Sequence, residues 1–425
     1  MHHVVLAIFL FTLGACIGSF LNVVIHRVPR NESVVFPPSH CPACGKGIRW
    51  YDNIPILSWI ALKGRCRFCH GPISPRYLVI EAVTGGLLVA LYVCYYVLGA
   101  RGVAATEPLG SSWPMYAAHA ALLCGLLACA MVDIECWIVP LEACWVVSVV
   151  GLLSAALKPH PFLGAPVAIT PKLFGRPFVK PALYDAGISP TAGAIALAAL
   201  VGVGLAFVLL RYGYIRQSFI DASDRQLDQD PPEPPPASSG KKKKKKARDA
   251  AVVEKEDVPV NARKEILWEL VYLAPAAVLA VAAWLVVTKV PAARGVWKSW
   301  HEAGPIAQNL GCAEAAVFGY LVGGLWIWGM RILGTLAFGR LAMGMGDVHI
   351  LAAVGAVTGW IVPSVVFFLA PAFGLIWAIR LWATKAQREL PYGPWLAVAT
   401  LVTMLFHGAV VGFFATYAQA IKQLW

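Results

Sequence analysis

Charged residues are scarce in this sequence. Asp, Glu, Lys and Arg make up 14% of its 425 residues, whereas water-soluble domains carry about 25%. Apolar residues account for 59% of the chain, and the mean hydropathy is +0.67. This composition excludes an ordinary water-soluble globular protein. We therefore expect an all-α polytopic membrane protein.

The apolar runs predict about 8–10 transmembrane helices, because a helix needs about 20 apolar residues to cross the hydrocarbon core. The tract 348–379 is longer than one span requires, and we expect it to fold back near Pro363 as two spans. The remaining candidate spans are 4–25, 82–99, 115–132, 138–157, 191–210, 266–288, 312–330 and 395–418.

The first apolar run lacks two features of a cleaved signal peptide. No basic segment precedes it, and no A-x-A-like cleavage site follows it. We therefore predict that this run is a retained transmembrane helix. The chain also lacks a recognisable internal repeat.

Lys and Arg are distributed unevenly among the loops. With the N-terminus outside, the loops 26–81, 211–265, 331–347 and 380–394 share one side of the membrane and carry most of the basic residues. The positive-inside rule then assigns that side to the cytoplasm. This topology predicts a multi-pass protein whose N-terminus is outside.

The formal net charge of +12 includes one run of six lysines, Lys241 to Lys246. The run lies in the segment 211–265, which is rich in Pro, Ser and Lys and is predicted to be a disordered basic cytoplasmic linker. Basic loops bind anionic lipid and set topology, so we expect a lipid partner and no nucleic acid. The segment 158–190 has no spanning run and is predicted to be an exterior loop.

Four of the 11 cysteines form two Cys-x-x-Cys pairs in one predicted cytoplasmic loop, Cys41 with Cys44 and Cys66 with Cys69. Two such pairs are typical of a zinc ribbon, in which four thiolates surround Zn²⁺ as a tetrahedron. Because four thiolates leave no open position for water, the metal would be structural. Two disulfides or four free thiols are the alternatives, and a reducing cytoplasm disfavours the disulfides. The other cysteines lie on or beside apolar helices and are predicted to be packing residues.

Acidic residues beside membrane spans are costly, so each one is a candidate for function. Glu81, Glu269 and Glu314 lie within the first residues of their spans, where we expect the carboxylates to reach interfacial water. Asp133 ends the third span, and Asp347 begins the apolar tract 348–379. In the predicted topology both aspartates lie at the cytoplasmic edge of the bilayer. They are therefore predicted to meet.

Two carboxylates within hydrogen-bonding reach cannot both ionise easily, so one of them keeps its proton. The ionised member can then act as the base toward water, while the protonated member donates to a peptide carbonyl. Gly344 and Gly346 allow close backbone approach before Asp347, in the pattern GxGD. A Gly-rich turn that ends in Asp is also a common helix cap, which is the alternative interpretation.

With these residues in context, the sequence resembles the type IV prepilin leader peptidase/N-methyltransferase family, whose members are GxGD-type membrane aspartic peptidases. The resemblance covers roughly two fifths of the chain, in blocks whose order is that of the family. The blocks are GACIGSFLNVVIHRVP (14–29), CPACG (41–45), IRWYDNIPILSW (48–59), LKGRCRFCHGPIS (62–74), Tyr77, Glu81, Asp133, Pro140, MGMGDVHILAAVGA (343–356) and LPYGPWLAVA (390–399).

The resemblance implies an enzyme of the inner membrane that faces the cytoplasm. It would remove the leader peptide of type IV prepilins or pseudopilins, in type IV pilus or type II secretion systems, and then methylate the new N-terminus with S-adenosylmethionine. The implied catalytic pair is Asp133 and Asp347, and the implied metal ligands are the four paired cysteines. Tyr51, Asp52, Asn53 and Pro55 are the candidates for cofactor binding in methylation, unless WYDNIP is only a turn that packs against the zinc loop.

One position departs from the family pattern. His349 stands two residues after the GxGD aspartate, where the family usually has Lys. Since a neutral imidazole stabilises a carboxylate less than an ammonium does, His349 is predicted to tune the dyad. A proton-coupled transporter and a catalytically inactive zinc-ribbon membrane scaffold are the alternative functions.

The predicted organisation divides the chain into segments with separate roles. They are a first transmembrane helix (1–25), a small cytoplasmic zinc-ribbon-like domain with four cysteine ligands (26–81), helices with the first aspartate (82–157), an exterior loop (158–190), a further helix (191–210), the basic linker (211–265) and helices with the GxGD motif (266–425).

Overall fold

The computed structural model describes residues 2–98, 109–157, 167–169, 172–173, 176–177, 182–184, 188–219, 262–302, 304–383, 391–410 and 413. Most of these residues lie in α-helices. In chain order the helices are α1 (His2–Arg27), α2 (Leu57–Ala61), α3 (Arg76–Tyr92), α4 (Leu109–Cys136), α5 (Leu141–Leu157), α6 (Pro190–Arg211), α7 (Ala262–Lys289), α8 (Pro291–Glu302), α9 (Gly304–Phe338), α10 (Met345–Thr358), α11 (Ile361–Ala383) and α12 (Gly393–Leu405).

Seven stretches of the described chain are long and apolar enough to cross a membrane. They are His2–Arg30, Arg76–Val97, Leu109–Cys136, Pro190–Arg211, Ala262–Lys289, Asn309–Phe338 and Ile361–Arg380. Three shorter helices, α5, α10 and α12, are also apolar. The prediction of an all-α polytopic membrane protein is therefore confirmed.

Several boundaries differ from the sequence-based expectation. The tract 348–379 turns at Gly359, which has φ +75°, and Pro363 lies in the first turn of α11. A separate amphipathic helix, α8, precedes α9, which begins eight residues before the predicted span 312–330. Helix α7 begins at Ala262, within the predicted linker. Its first turn is buried against other parts of the protein, which stabilises the helix there. The stretch 220–261, with the lysine run, lies outside the described residues.

The predicted exterior loop 158–190 contains short strands. Strand β1 (Val167–Ile169) pairs antiparallel with β4 (Ala182–Tyr184), and β2 (Lys172–Leu173) pairs antiparallel with β3 (Arg176–Pro177). The remaining residues of 158–187 are outside the described part of the chain.

Helix α10 lies at the centre of the bundle. It packs against α4, α5, α9, α11 and α12, and its side chains are buried from Ile350 to Thr358. A helix of 14 residues is about 21 Å long, which is shorter than the hydrocarbon core. Because α10 has no charged residue after Asp347 and neighbours on all sides, it can be buried around its whole circumference.

The three glutamates near helix ends are buried, so the expectation that they reach interfacial water is wrong. Glu81, Glu269 and Glu314 are 7%, 2% and 1% exposed. The Glu81 carboxylate accepts the backbone N–H of Ile56 at 2.7 Å, and a Glu314 oxygen lies 3.0 Å from His301 Nε2. Neighbouring segments cover these positions, and a buried carboxylate needs such polar partners.

Candidate active site and metal centre

Asp133 lies in the last turn of α4 and is 7% exposed. The helix ends because Trp137 adopts the left-handed region, with φ +59°, and its N–H donates to the Asp133 carbonyl at 3.0 Å. The side chain points to α12, where the backbone N–H of Gly393 donates to Asp133 Oδ2 at 3.0 Å. Asp133 is therefore fixed by a group that is 260 positions away in the sequence.

Asp347 lies in the first turn of α10 and is half-buried. Gly344, with extended backbone, caps this helix. A Cβ atom on Gly346 would lie 2.5 Å from the Cβ atom of Val139, which follows α4. Only glycine allows this approach, so the GxGD turn packs directly against the segment that joins α4 to α5.

Asp133 and Asp347 lie at the same edge of the bundle, where α4 ends and both α10 and α12 begin. The beginning of α12 contacts Asp133 through the Gly393 N–H. Burial, together with the charge of Asp347, raises the pKa of Tyr392, the residue before Gly393, to about 12.

Sequence reasoning did not select Tyr392 or Gly393 as site residues. The signal that could have found them is the block LPYGPWLAVA, in which Pro394 fixes the start of a helix directly after a glycine. A Cβ atom on Gly393 would lie 2.8 Å from Asp133 Oδ2. This position therefore has no room for a side chain beside the carboxylate.

The other polar residues near the dyad have partners of their own. Glu135 forms an ion pair with Arg76, whose Nη1 lies 2.5 Å from Glu135 Oε1. The His349 ring lies edge-on to the Trp145 ring, with centroids 6.5 Å apart. His349 is therefore near Asp347 because both residues are in the first turns of α10.

The four paired cysteines form one cluster in the structure. Their sulfur atoms all lie within 4.8 Å of one another, and the sulfurs of Cys41 and Cys69 are 3.8 Å apart. A tetrahedron with Zn–S bonds of about 2.3 Å has edges of about 3.8 Å. Donor type and spacing therefore fit one Zn²⁺ held by Cys41, Cys44, Cys66 and Cys69.

Each cysteine pair lies on a similar tight turn. The N–H of Cys41 donates to the Lys46 carbonyl at 2.9 Å, and the N–H of Cys66 donates to the Gly71 carbonyl at 2.9 Å. The residue after each second cysteine, Gly45 or His70, has a positive φ of 70° or 54°. The similar backbone of both turns directs the two pairs toward a common point.

The candidate methylation residues lie in a turn that contacts the loop with the cysteine cluster. Tyr51, Asp52 and Asn53 belong to a short 3-10 helix, Trp50–Asn53. Arg67, between the second pair of cysteines, donates to both oxygens of Asp52 at 2.7 and 2.6 Å. This contact lowers the pKa of Asp52. Tyr51 is 38% exposed, and the guanidinium carbons of Arg49 and Arg67 lie 5.8 and 5.4 Å from the centre of its ring.

A single carboxylate joins this turn to the membrane helices. Glu81 on α3 accepts the N–H of Ile56, directly after Pro55, and Ile56 has a positive φ of 64°. A β-branched residue in this region is strained and needs support from its surroundings. The buried Glu81 thus fixes the orientation of the cysteine loop on α3.

The N-terminal part of the chain matches a known family model. The model of the bacterial peptidase A24 N-terminal domain matches residues 12–129, a region that contains most of α1, the cysteine cluster, α3 and most of α4. This region is therefore similar to that domain. The match ends at residue 129, four residues before Asp133. Both aspartates therefore lie beyond the C-terminal boundary of the matched region.

Several curated proteins are similar to the chain over parts of their length. Three of them are named prepilin leader peptidase/N-methyltransferase. The protein of Myxococcus xanthus is 42% identical over 156 residues, which cover 36% of this chain and 41% of the relative. The protein of Klebsiella pneumoniae is 51% identical over 87 residues, 19% of this chain and 38% of the relative.

The protein of Burkholderia pseudomallei is 32% identical over 157 residues, which cover 31% of this chain and 46% of the relative. The chain thus spans less than half the length of these curated relatives. No solved structure matches the chain.

Proposed function

We propose that this protein is a membrane-embedded aspartic endopeptidase that removes the leader peptide of type IV prepilins or pseudopilins. One observation carries the proposal: Asp133 and Asp347, from distant parts of the chain, lie at the same edge of the bundle, where Gly346 packs against Val139 and Gly393 binds Asp133. The names of the relatives and the match to the A24 N-terminal domain model support the same activity.

The proposed reaction is the hydrolysis of one peptide bond. The ionised aspartate takes a proton from a water molecule, and the resulting hydroxide attacks the peptide carbonyl carbon. The protonated aspartate donates its proton to the carbonyl oxygen. When the tetrahedral intermediate collapses, the C–N bond breaks and the leaving amine takes the proton that the first aspartate removed from water. One hydroxyl of the intermediate returns its proton to the second aspartate, so both carboxyl groups regain their starting states. The Gly393 N–H stabilises the anionic form of Asp133, which favours Asp133 as the base.

The location of the dyad fits this class of substrate. A prepilin has a basic leader followed by a long apolar helix, so its scissile bond lies where that helix meets water. The two aspartates lie at helix ends, one in the last turn of α4 and the other in the first turn of α10. We place this edge at the cytoplasmic face of the inner membrane, with the N-terminus outside, because the positive-inside rule favours that orientation.

We also propose that the zinc-bearing loop serves N-methylation of the mature N-terminus. S-adenosylmethionine would supply the methyl group from its sulfonium. The ring of the partly exposed Tyr51 suits an adenine ring, whereas both Asp52 oxygens are occupied by Arg67. The zinc ion would be structural, since four thiolates complete its coordination.

Mass spectrometry of a substrate N-terminus tests this function. A co-expressed prepilin is isolated from cells with and without this protein, and its N-terminal peptide is measured. We expect a shortened N-terminus that carries one added methyl group only when the protein is present. Proton uptake into vesicles without any cleavage would favour the transporter, and an unprocessed substrate without proton uptake would favour the inactive scaffold.

Gly393→Ala is expected to slow leader removal by about 10- to 100-fold, because a misplacement of 1 Å at a reacting group costs about that much. The added Cβ atom would lie 2.8 Å from Asp133 Oδ2 and must displace the carboxylate. The initial rate of prepilin cleavage measures the effect. Gly86→Ala on α3 is the control, since a Cβ atom there meets nothing within 4 Å. Equal rates for Gly393→Ala and the unchanged protein would contradict the assigned geometry.

His349→Lys is expected to retain cleavage and to shift its pH profile downward. An ammonium two residues after Asp347 stabilises the ionised dyad more than a neutral imidazole does, so the base becomes active at lower pH. The rate of cleavage between about pH 4 and about pH 9 measures the shift. If the profile does not move, position 349 does not control the protonation of the dyad.

Asp52→Asn and Arg67→Gln together distinguish two roles of Asp52. If Asp52 only holds Arg67 beside the zinc cluster, both variants should lower methylation to a similar degree. If Asp52 contacts the methyl donor, Asp52→Asn should lower methylation more strongly than Arg67→Gln. We expect similar effects, because Arg67 already occupies both carboxylate oxygens. Methylated and unmethylated N-terminal peptides are quantified by mass spectrometry.

A further inference from the structure

The loop that leads into the GxGD turn, residues 339–344, is fixed to the end of α9. Gly339 leaves that helix with φ +69°. The Ala342 N–H donates to Thr335 Oγ1 at 3.3 Å, and a Cβ atom on Gly334 would lie 2.7 Å from the Ala342 Cβ atom. The Arg331 guanidinium donates through Nη1 to the Met343 carbonyl. The last of these contacts lies directly before the GxGD turn.

Arg331 is buried and is itself held by α7. It is 4% exposed, and its Nε donates to Glu269 Oε1 at 2.8 Å. Trp328 Nε1 donates to Glu269 Oε2 at 2.9 Å. The guanidinium carbon lies 5.0 Å from the centre of the Phe219 ring, which covers it. A continuous set of contacts thus runs from α7, through Glu269 and Arg331, to the backbone next to the dyad.

We propose that Arg331 is a positioning residue for Asp347 and that Glu269 holds Arg331 in the required orientation. This inference rests on the proposed peptidase function. Arg331 sets the position of the Met343 carbonyl, and the short turn from Gly344 to Gly346 transmits that position to Asp347. Helix α7 thereby contributes to the active site without contacting the substrate.

Stability alone gives little reason for this ion pair. A buried pair costs desolvation of both charges, and well-packed apolar residues of similar size are often as stable or more stable. An apolar pair cannot donate to the Met343 carbonyl, however. The hydrogen bond to the loop is therefore the contribution that an apolar replacement would lose.

The double variant Glu269→Leu/Arg331→Met tests the proposal, because it leaves no unpaired buried charge. We expect the protein to remain folded, with unchanged zinc content, while kcat for prepilin cleavage falls by about 10- to 100-fold and KM changes little. Hydrogen exchange of residues 339–347 should become faster. Hydrogen exchange does not depend on catalytic activity and reports the loop directly.

Arg294→Gln is the matched control. Arg294 Nε donates to the Val287 carbonyl at 3.3 Å, at the opposite end of α7 from Glu269, and its contacts do not lead to Arg331 or Met343. We expect this variant to keep both kcat and loop exchange.

Four outcomes separate the possible failures. Unchanged kcat in the folded double variant would overturn the role of Arg331, and so would equal losses in the control. If the double variant does not fold, Glu269→Gln replaces it, and unchanged kcat and unchanged loop exchange there overturn the coupling to α7. If the unaltered protein does not cleave any prepilin, the proposed function fails instead.

Discussion

Replacement of either aspartate by asparagine is expected to stop leader removal, with a loss of at least about 10³-fold. A positioned acid or base contributes about 10²- to 10⁴-fold, and both members are needed for one turnover. Asparagine has nearly the same size as aspartate and can still accept the Gly393 N–H at position 133. We therefore expect Asp133→Asn and Asp347→Asn to fold and to retain zinc. Mass spectrometry of the prepilin N-terminus measures the loss.

Glu142→Gln is the control for these variants. Glu142 lies in the first turn of α5, near the same edge of the bundle, and is exposed. Its replacement changes the charge by the same amount without altering the dyad. Continued cleavage by either aspartate variant would refute the peptidase mechanism. Loss of cleavage in the control would show that cleavage depends on the total negative charge at this edge and not on the two aspartates in particular.

Loss of one paired cysteine is expected to abolish zinc binding. In Cys41→Ser or Cys66→Ser the metal content should fall to background, since a structural site built from four cysteines depends on all four thiolates. We expect amide exchange in residues 38–75 to accelerate by at least about 100-fold, because a loop this small has no apolar core of its own. Metal analysis and hydrogen exchange measure the two effects.

The same cysteine variants separate the two proposed activities. Leader removal should persist, because the dyad lies on α4 and α10, and neither helix belongs to the cysteine loop. Methylation should be lost. Cys16→Ser, which alters an exposed free thiol on α1, is expected to leave zinc and both activities unchanged. Full zinc occupancy in Cys41→Ser would exclude the four-thiolate site.

The acids at helix ends illustrate the limits of sequence reasoning. The energetic cost of an acidic side chain beside a membrane span made all of these residues candidates for function. The number of predicted spans between Asp133 and Asp347 then predicted that both lie at the same edge of the bilayer. The same reasoning predicted that the Glu269 carboxylate reaches interfacial water. In the structure Glu269 is 2% exposed and binds Arg331. The difference arises because a helix end can be covered by a neighbouring segment, and no local pattern records that neighbour.

The sequence by itself determined the helical membrane architecture and the four cysteines that form one cluster. Apolar run length and Cys-x-x-Cys spacing are local properties, so they could be interpreted without knowledge of packing. Only the tertiary structure decided that Gly393 binds Asp133 and that Arg331 holds the loop before Asp347. Contacts between residues so far apart depend on how whole helices pack, and that packing is the sum of many weak side-chain interactions across the bundle.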